Sequence, residues 1–283
     1  MTGCKENKVD QELADKLFET IKNAGRYAFN LSHSIAYAHL AYKTAYMKAN
    51  FTDKFFATYL TYAKFKLDKW EEIIKLTGEA QAIGLDVLPP NINHKNKHFR
   101  VEDGKIRYGL SHIKYGLSAG TFDAVQNLPS INTWKEFVLL CFTDNLGIKL
   151  RSNTAAALIS TGAFADTGIS RSTLTSLYKL FEFLTDKEME HLLALLEEAP
   201  SDLTKLKEWF LGAVKANKKR MPLIISQSEY FIVSEDDPQW IESEEKYYLG
   251  LPLTSSSVDG KTHSADSTCL DCAGDWPIKT IKT

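Results

Sequence analysis

The chain has 283 residues, enough for two or three small domains with cores of their own. Its 44% hydrophobic and 25% charged residues are those of an ordinary soluble globular protein, with no apolar run near membrane-span length and no signal-peptide pattern at the start. Four cysteines (Cys4, Cys141, Cys269 and Cys272) are too few and too scattered for a disulfide framework, so a cytoplasmic protein with reduced thiols and no membrane contact is expected.

The net charge of −2 is unevenly spread. Residues 26–151 hold 17 Lys and Arg against 11 Asp and Glu, whereas residues 152–283 hold 13 against 20. Any nucleic-acid surface therefore belongs in the middle of the chain, unless the clustering is chance among solvated charges.

Taken in order, Asp10 caps a helix with Leu13, Leu17, Ile21 and Ala24 on one face. A second helix is expected over 34–49, capped by Ser32 or Ser34. The polar loop before it, from Gly25 through Asn30, makes this start a point where free backbone N–H groups converge with side-chain donors. Such a start suits a phosphate. His33 and Tyr37, four residues apart, would face the same ligand. The alternative is an ordinary capped helix whose His and Tyr sit half buried.

Thr52 opens a third helix rich in Phe55, Phe56, Tyr59, Leu60 and Tyr62, an aromatic stripe read as core and not as a base-stacking platform. Asp68 opens a fourth that ends near Gly84, and Pro89-Pro90 marks a domain boundary. Residues 99–110 read as a β-hairpin turning at Asp103-Gly104. Helices follow at 118–126, 133–142, 153–161, 170–184, 187–198 and 202–217. With Leu223-Ile224-Ile225 before it, the stretch through Phe231 reads equally well as a plain strand or as a docking peptide. The Ser/Thr/Asp-rich tail from Thr254 reads as loosely ordered. Within it, Cys269 and Cys272 could begin a zinc site or a redox pair, but with His263 as the one nearby candidate no metal site is expected.

Several segments resemble one family. Asn30-Leu31-Ser32-His33-Ser34-Ile35-Ala36-Tyr37-Ala38 is similar to a segment in the fingers of the bacterial replicative DNA polymerase III alpha subunit, a C-family DNA polymerase. In the family's order follow Val87-Leu88-Pro89-Pro90-Asn91-Ile92-Asn93, Ile106-Arg107-Tyr108-Gly109-Leu110 with Ile113-Lys114, and Leu158-Ile159-Ser160-Thr161-Gly162-Ala163-Phe164. Glu244-Glu245-Lys246-Tyr247-Tyr248-Leu249-Gly250 resembles the stretch before the family's OB-fold.

The resemblance implies a mainly α chain. A helical fingers subdomain (1–88) is followed by a tandem helix–hairpin–helix bundle with one small β-hairpin and a clamp-binding region (89–235). A connector toward an OB-fold (236–283) completes it. It implies an incoming-nucleotide pocket of Asn30, Ser32, His33 and Tyr37. Leu31 stands where the family has a lysine, and Arg26 is expected to restore that charge. Duplex backbone would be held by Lys114, by the hairpin of Gly116, Ser118 and Gly120, and by Gly168 and Arg171 of the second hairpin. Tyr115 reads as a one-residue insertion, and Ser118 replaces a usual glycine. On the residues alone, both hairpins are equally well two helix caps inside a bundle. Gln227, Tyr230 and Phe231 fall where the family often carries its sliding-clamp peptide.

The implied reaction is template-directed addition of dNMP to a primer. Its Mg²⁺ would be bound outside this chain, which contains no Asp-x-Asp, by a palm-bearing part that precedes it. No catalytic residue is therefore expected here, and no activity of the chain alone. A split gene, for which a viral (phage) genome is one home, an interrupted coding region or a deliberately shortened chain would each account for this. The competing reading is a non-enzymatic helix–hairpin–helix DNA-binding module or an inactive remnant.

Overall fold

Side-chain caps set where most helices begin. The computed structural model describes residues 2–26, 30–143, 150 and 152–254, with the backbone alone at Thr2, Arg26 and Ala119. Among these, thirteen α-helices accompany one small sheet. The chain forms two compact units, 1–55 and 56–283, so residues 88 and 89 both lie inside the second.

The first unit holds α1 (Thr2–Glu6), α2 (Gln11–Arg26) and α3 (Leu31–Asn50). Asp10 Oδ2 accepts from Leu13 N at 3.2 Å, as the capping pattern requires. The start of α3 differs from expectation. Asn30, and neither Ser32 nor Ser34, is the cap: its Oδ1 accepts from Ser32 N at 3.0 Å and Ser32 Oγ at 2.7 Å. An Asx side chain placed one residue before the first turn reaches those donors without strain, leaving both serines inside the helix. Leu13, Leu17, Phe18 and Ile21 of α2 are exposed, and α3 buries no residue.

The boundary between the units falls within α4 (Thr52–Tyr62). Its Phe56 and Leu60 are fully buried, whereas Tyr62 is exposed. Asp68 caps α5 (Lys69–Ala82), accepting from Trp70 N and Glu71 N at 3.0 Å each. Three short strands follow: β1 (Val87–Leu88), β2 (Arg100–Glu102) and β3 (Lys105–Arg107), in the order β1-β3-β2. The β2–β3 hairpin turns as expected, with φ of 50° at Asp103 and 76° at Gly104, the left-handed pair of a tight turn. The parallel pairing of Val87 with Ile106 was not legible, because two residues show no alternation.

The remainder is helical: α6 (Ala119–Val125), α7 (Trp134–Phe142), α8 (Ser152–Ser160), α9 (Arg171–Glu182), α10 (Asp186–Ala194), α11 (Leu206–Ala213), α12 (Met221–Ser228) and α13 (Pro238–Leu249). Ser118, Thr133 and Ser170 cap α6, α7 and α9, and Thr133 with Glu136 completes a capping box. Two corrections concern the C-terminal part. Leu223-Ile224-Ile225 lies in α12, not in a strand, because Pro222 starts a helix well and only Ile224 turns inward. The helix at 238–249 was not foreseen at all. The core joins these helices through aromatic edges, with Phe137 and Phe164 4.9 Å apart and Phe181 and Phe210 5.8 Å apart.

Candidate nucleic-acid interface

The segments singled out in the sequence act first as fasteners. Asn91 Nδ2 and Asn93 Nδ2 donate to the two carboxylate oxygens of Asp166 at 2.9 and 2.7 Å. Asn93 also accepts from Ile131 N and donates to Ile131 O, and Ile92 N donates to Ala163 O. The chain after Pro90 thus ties the loop before α7 to the loop after α8. Gly109 is required because a Cβ there would lie 2.6 Å from the His98 carbonyl carbon. Tyr108 is buried and its hydroxyl donates to Leu249 O at 3.0 Å. Lys114 N donates to Tyr248 O at 2.9 Å. Gly250, at φ 90°, lets Trp70 approach to 2.7 Å of where a Cβ would be.

The first hairpin lies between Leu110–His112, a 3₁₀ turn, and α6. Gly116 N donates to Ile113 O at 2.9 Å, and a Cβ on Gly116 would sit 2.5 Å from Leu110 O. Tyr115 takes the left-handed position at φ 61° and is exposed, which is how the apparent extra residue is accommodated. Ser118, also exposed, caps α6 through Thr121 N at 3.3 Å. Gly120 is in the first turn of α6, exposed, with open space around it. Lys95 closes the other end of α6, donating to Leu128 O and Gln126 O. Lys114 Nζ lies 3.7 Å over the Tyr247 ring, and its ammonium holds the Tyr247 phenol below its usual range. Gly116, Ser118 and Gly120 thus lie in the turn and the start of α6, while the Lys114 ammonium before them sits over Tyr247 of α13.

The second hairpin differs from expectation. Gly168 is exposed at φ 66° and ends the Ala165–Thr167 3₁₀ turn. Arg171, however, is turned inward. Its guanidinium donates to Ser160 O at 2.8 Å, to Glu245 Oε1 at 2.9 Å and to Thr254 Oγ1 at 2.8 Å. The Arg171 side chain is 11% exposed and that of Glu245 is fully buried. A guanidinium so engaged offers little of itself to a DNA phosphate. The helix start behind it is filled as well: Asp236 accepts from Arg171 N at 3.0 Å and Ser172 N at 2.7 Å. Glu245 and Asp236 were missed in the sequence, since an acidic residue in a charged stretch carries no mark of burial.

In the first unit, His33 and Tyr37 are exposed on one face of α3 with ring centroids 4.5 Å apart, and Asn30 and Ser32 lie at its start. Arg26 ends α2, but its side chain lies outside the described residues. Gln227 lies in the last turn of α12, Tyr230 is exposed, and Phe231 is buried at 9%. These three line a groove of about 900 Å³ with α9 and α13, but Tyr230 and Phe231 do not face outward together. Cys269 and Cys272 lie outside the described residues, among which no cluster of His, Cys, Asp or Glu could hold a metal. Among those residues no helix is long and apolar enough to cross a membrane.

Two imidazoles sit at the base of the first hairpin. His98 Nδ1 and His112 Nε2 are 3.1 Å apart, and His112 is buried. Burial, followed by His98, Lys64 and Lys69, pushes His112 down to about 3. Burial with Lys64 and Lys97 lowers His98. Both rings are therefore neutral at pH 7 and share one N–H bridge.

A helix–hairpin–helix motif family matches residues 84–174, which contain both hairpins. The chain is 34% identical over 174 residues to DNA polymerase III subunit alpha of Escherichia coli (strain K12), covering 61% of this chain and 15% of that protein. The same subunit of Borreliella burgdorferi is 43% identical over 114 residues, covering 40% and 10%. That of Pseudomonas aeruginosa is 32% identical over 203 residues, covering 70% and 16%. The chain is thus related to DNA polymerase III alpha subunits and carries their helix–hairpin–helix region, while spanning about a sixth or less of the length of these relatives.

Proposed function

We propose that the chain supplies the duplex grip of a C-family replicative DNA polymerase, and that the first hairpin carries it. The supporting observation is the tight turn at Tyr115 and Gly116, followed by the exposed, Ser118-capped start of α6 with Lys114 beside it. Aligned N–H groups and one ammonium suit a phosphate and carry no base information, as a product-duplex site needs. On this reading the second hairpin is scaffold, with Asp236 standing where a phosphate would bind.

Anisotropy with a labelled duplex tests this. Ser118→Asp keeps a good helix cap but places a carboxylate at the phosphate position, and should weaken binding at least tenfold. Lys114→Ala should flatten the salt dependence by about 0.9 in the log–log slope. Unchanged duplex affinity in Ser118→Asp would refute the assignment.

The finer reading extends the resemblance. Asn30, Ser32, His33, Tyr37 and Arg26 would meet the incoming dNTP. Mg²⁺ and the catalytic carboxylates would come from a separate palm-bearing part packed on the uncovered face of α2. Capture of a sliding clamp by Gln227, Tyr230 and Phe231 would require Phe231 to swing out of its buried position. The setting would be the cytoplasm. A binder that has lost its catalytic partner is the second reading, with which the absence of Asp-x-Asp from the chain is equally consistent.

A further inference from the structure

The turn after α4 keeps its aromatic side chains outside the core. Residues 62–69 read Tyr-Ala-Lys-Phe-Lys-Leu-Asp-Lys. Tyr62 and Phe65 are exposed at 60% and 73% and stack on each other, with centroids 6.0 Å apart and 29° between the rings. Leu67 beside them is fully exposed. Lys64 Nζ lies 5.1 Å from the Phe65 centroid. The positive charge continues past the turn: Lys69 Nζ donates to His112 O at 3.2 Å, and Lys64 acts on both His98 and His112. Two of the nearby carboxylates are engaged elsewhere, whereas Glu71 and Glu72 stand in the first turn of α5. Asp68 accepts from its own helix start, and Asp123 pairs with Lys97 at 3.7 Å.

We propose that this turn, with Lys97 and His98 beside it, binds single-stranded DNA continuous with the duplex held by the first hairpin. Bases stack on Tyr62 and Phe65, and phosphates meet Lys64 and Lys66. Aromatic faces alternating with ammonium groups are what sequence-tolerant single-strand binding uses. The bond from Lys69 to His112 fastens the turn to the 3₁₀ turn that leads into Gly116, so the two sites are directly linked. The continuity of strand and duplex rests on the duplex reading above, whereas single-strand binding itself does not.

The full chain is titrated by anisotropy against labelled oligothymidylate and, separately, a blunt duplex. Tyr62→Ala/Phe65→Ala should weaken oligothymidylate binding about tenfold or more and leave duplex binding unchanged. Lys64→Ala/Lys66→Ala should lower the single-strand salt slope by about 0.7 for each lost contact. Both pairs are exposed, and circular dichroism matching the wild type verifies the fold. Oligothymidylate affinity unchanged by the aromatic pair, or lost equally with duplex affinity, overturns the proposal. Wild-type binding to duplex but not to oligothymidylate rejects this site alone. Tyr62- and Phe65-dependent binding to oligothymidylate without duplex binding upholds it and rejects the duplex reading.

Discussion

Arg171 illustrates how one residue changes meaning between sequence and structure. In the sequence it is a cation at a helix start beside a glycine turn, a plausible phosphate ligand. In the fold its guanidinium neutralises a fully buried Glu245 and ties α9 to α13. Arg171→Gln should therefore act through stability, costing about 3–5 kcal/mol because the Glu245 charge is left uncompensated. Urea unfolding reads this, and duplex affinity per folded molecule should stay at the wild-type value. A selective loss of duplex binding at unchanged stability would restore the phosphate role. The caps at Asp10, Asp68, Ser118, Thr133 and Ser170 were legible, because a cap needs only its own few residues. The partner of Arg171 lies 74 residues away, so no local pattern could reveal it.

At the level of elements, the Leu110–His112 turn is held against the strand region by the two imidazoles. His112 is neutral in the fold, with its pKa pushed from 6.5 to about 3. The unfolded chain takes up a proton below about pH 6.5 and the folded one does not, so stability falls on acidification. The loss is about 1.4 kcal/mol per pH unit over the window between those values. Denaturation midpoints at pH 7, 6 and 5 should show this slope in the wild type, with a shallower one in His112→Asn. Equal slopes in the two proteins would show that the ring is accessible to protons in the fold. Glu188 adds to the same trend at lower pH. The Arg220 guanidinium holds it at about 2, so its contribution is full above 4.5 and fades as pH falls toward 2. Apart from α1 and α12, the helices before residue 238 were readable from periodicity and caps. The β1 pairing and the helix at 238–249 were not, the first for its brevity and the second because its buried side chains, Glu245 and Leu249, do not form a visible apolar stripe.

For the molecule as a whole, the two units differ in how much they bury. Within the first, the apolar face of α2 and all of α3 stay uncovered. Within the second, Phe164 before the second hairpin packs on Phe137 of α7, and Phe181 of α9 packs on Phe210 of α11. On the reading proposed above, template-directed incorporation should require both this chain and a palm-bearing partner. Primer extension with each alone and with both separates a split enzyme from a binder. Extension that is absent from the mixture, while duplex binding persists, would favour the non-enzymatic module.

The sequence by itself determined the helical class, most helix starts, the 99–110 hairpin and the kinship to polymerase alpha subunits. Each depends on short-range caps, turns and motifs, whose physics is complete within a few residues. Only the tertiary structure decided which hairpin keeps an open face. At the second hairpin Asp236 and Glu245, acidic groups distant in the chain, bond the Arg171 and Ser172 donors, whereas Ser118 and Gly120 at the start of α6 are exposed. It also moved Tyr62 out of the expected core, because burial follows the direction in which the end of a helix projects its side chains and not their hydrophobicity.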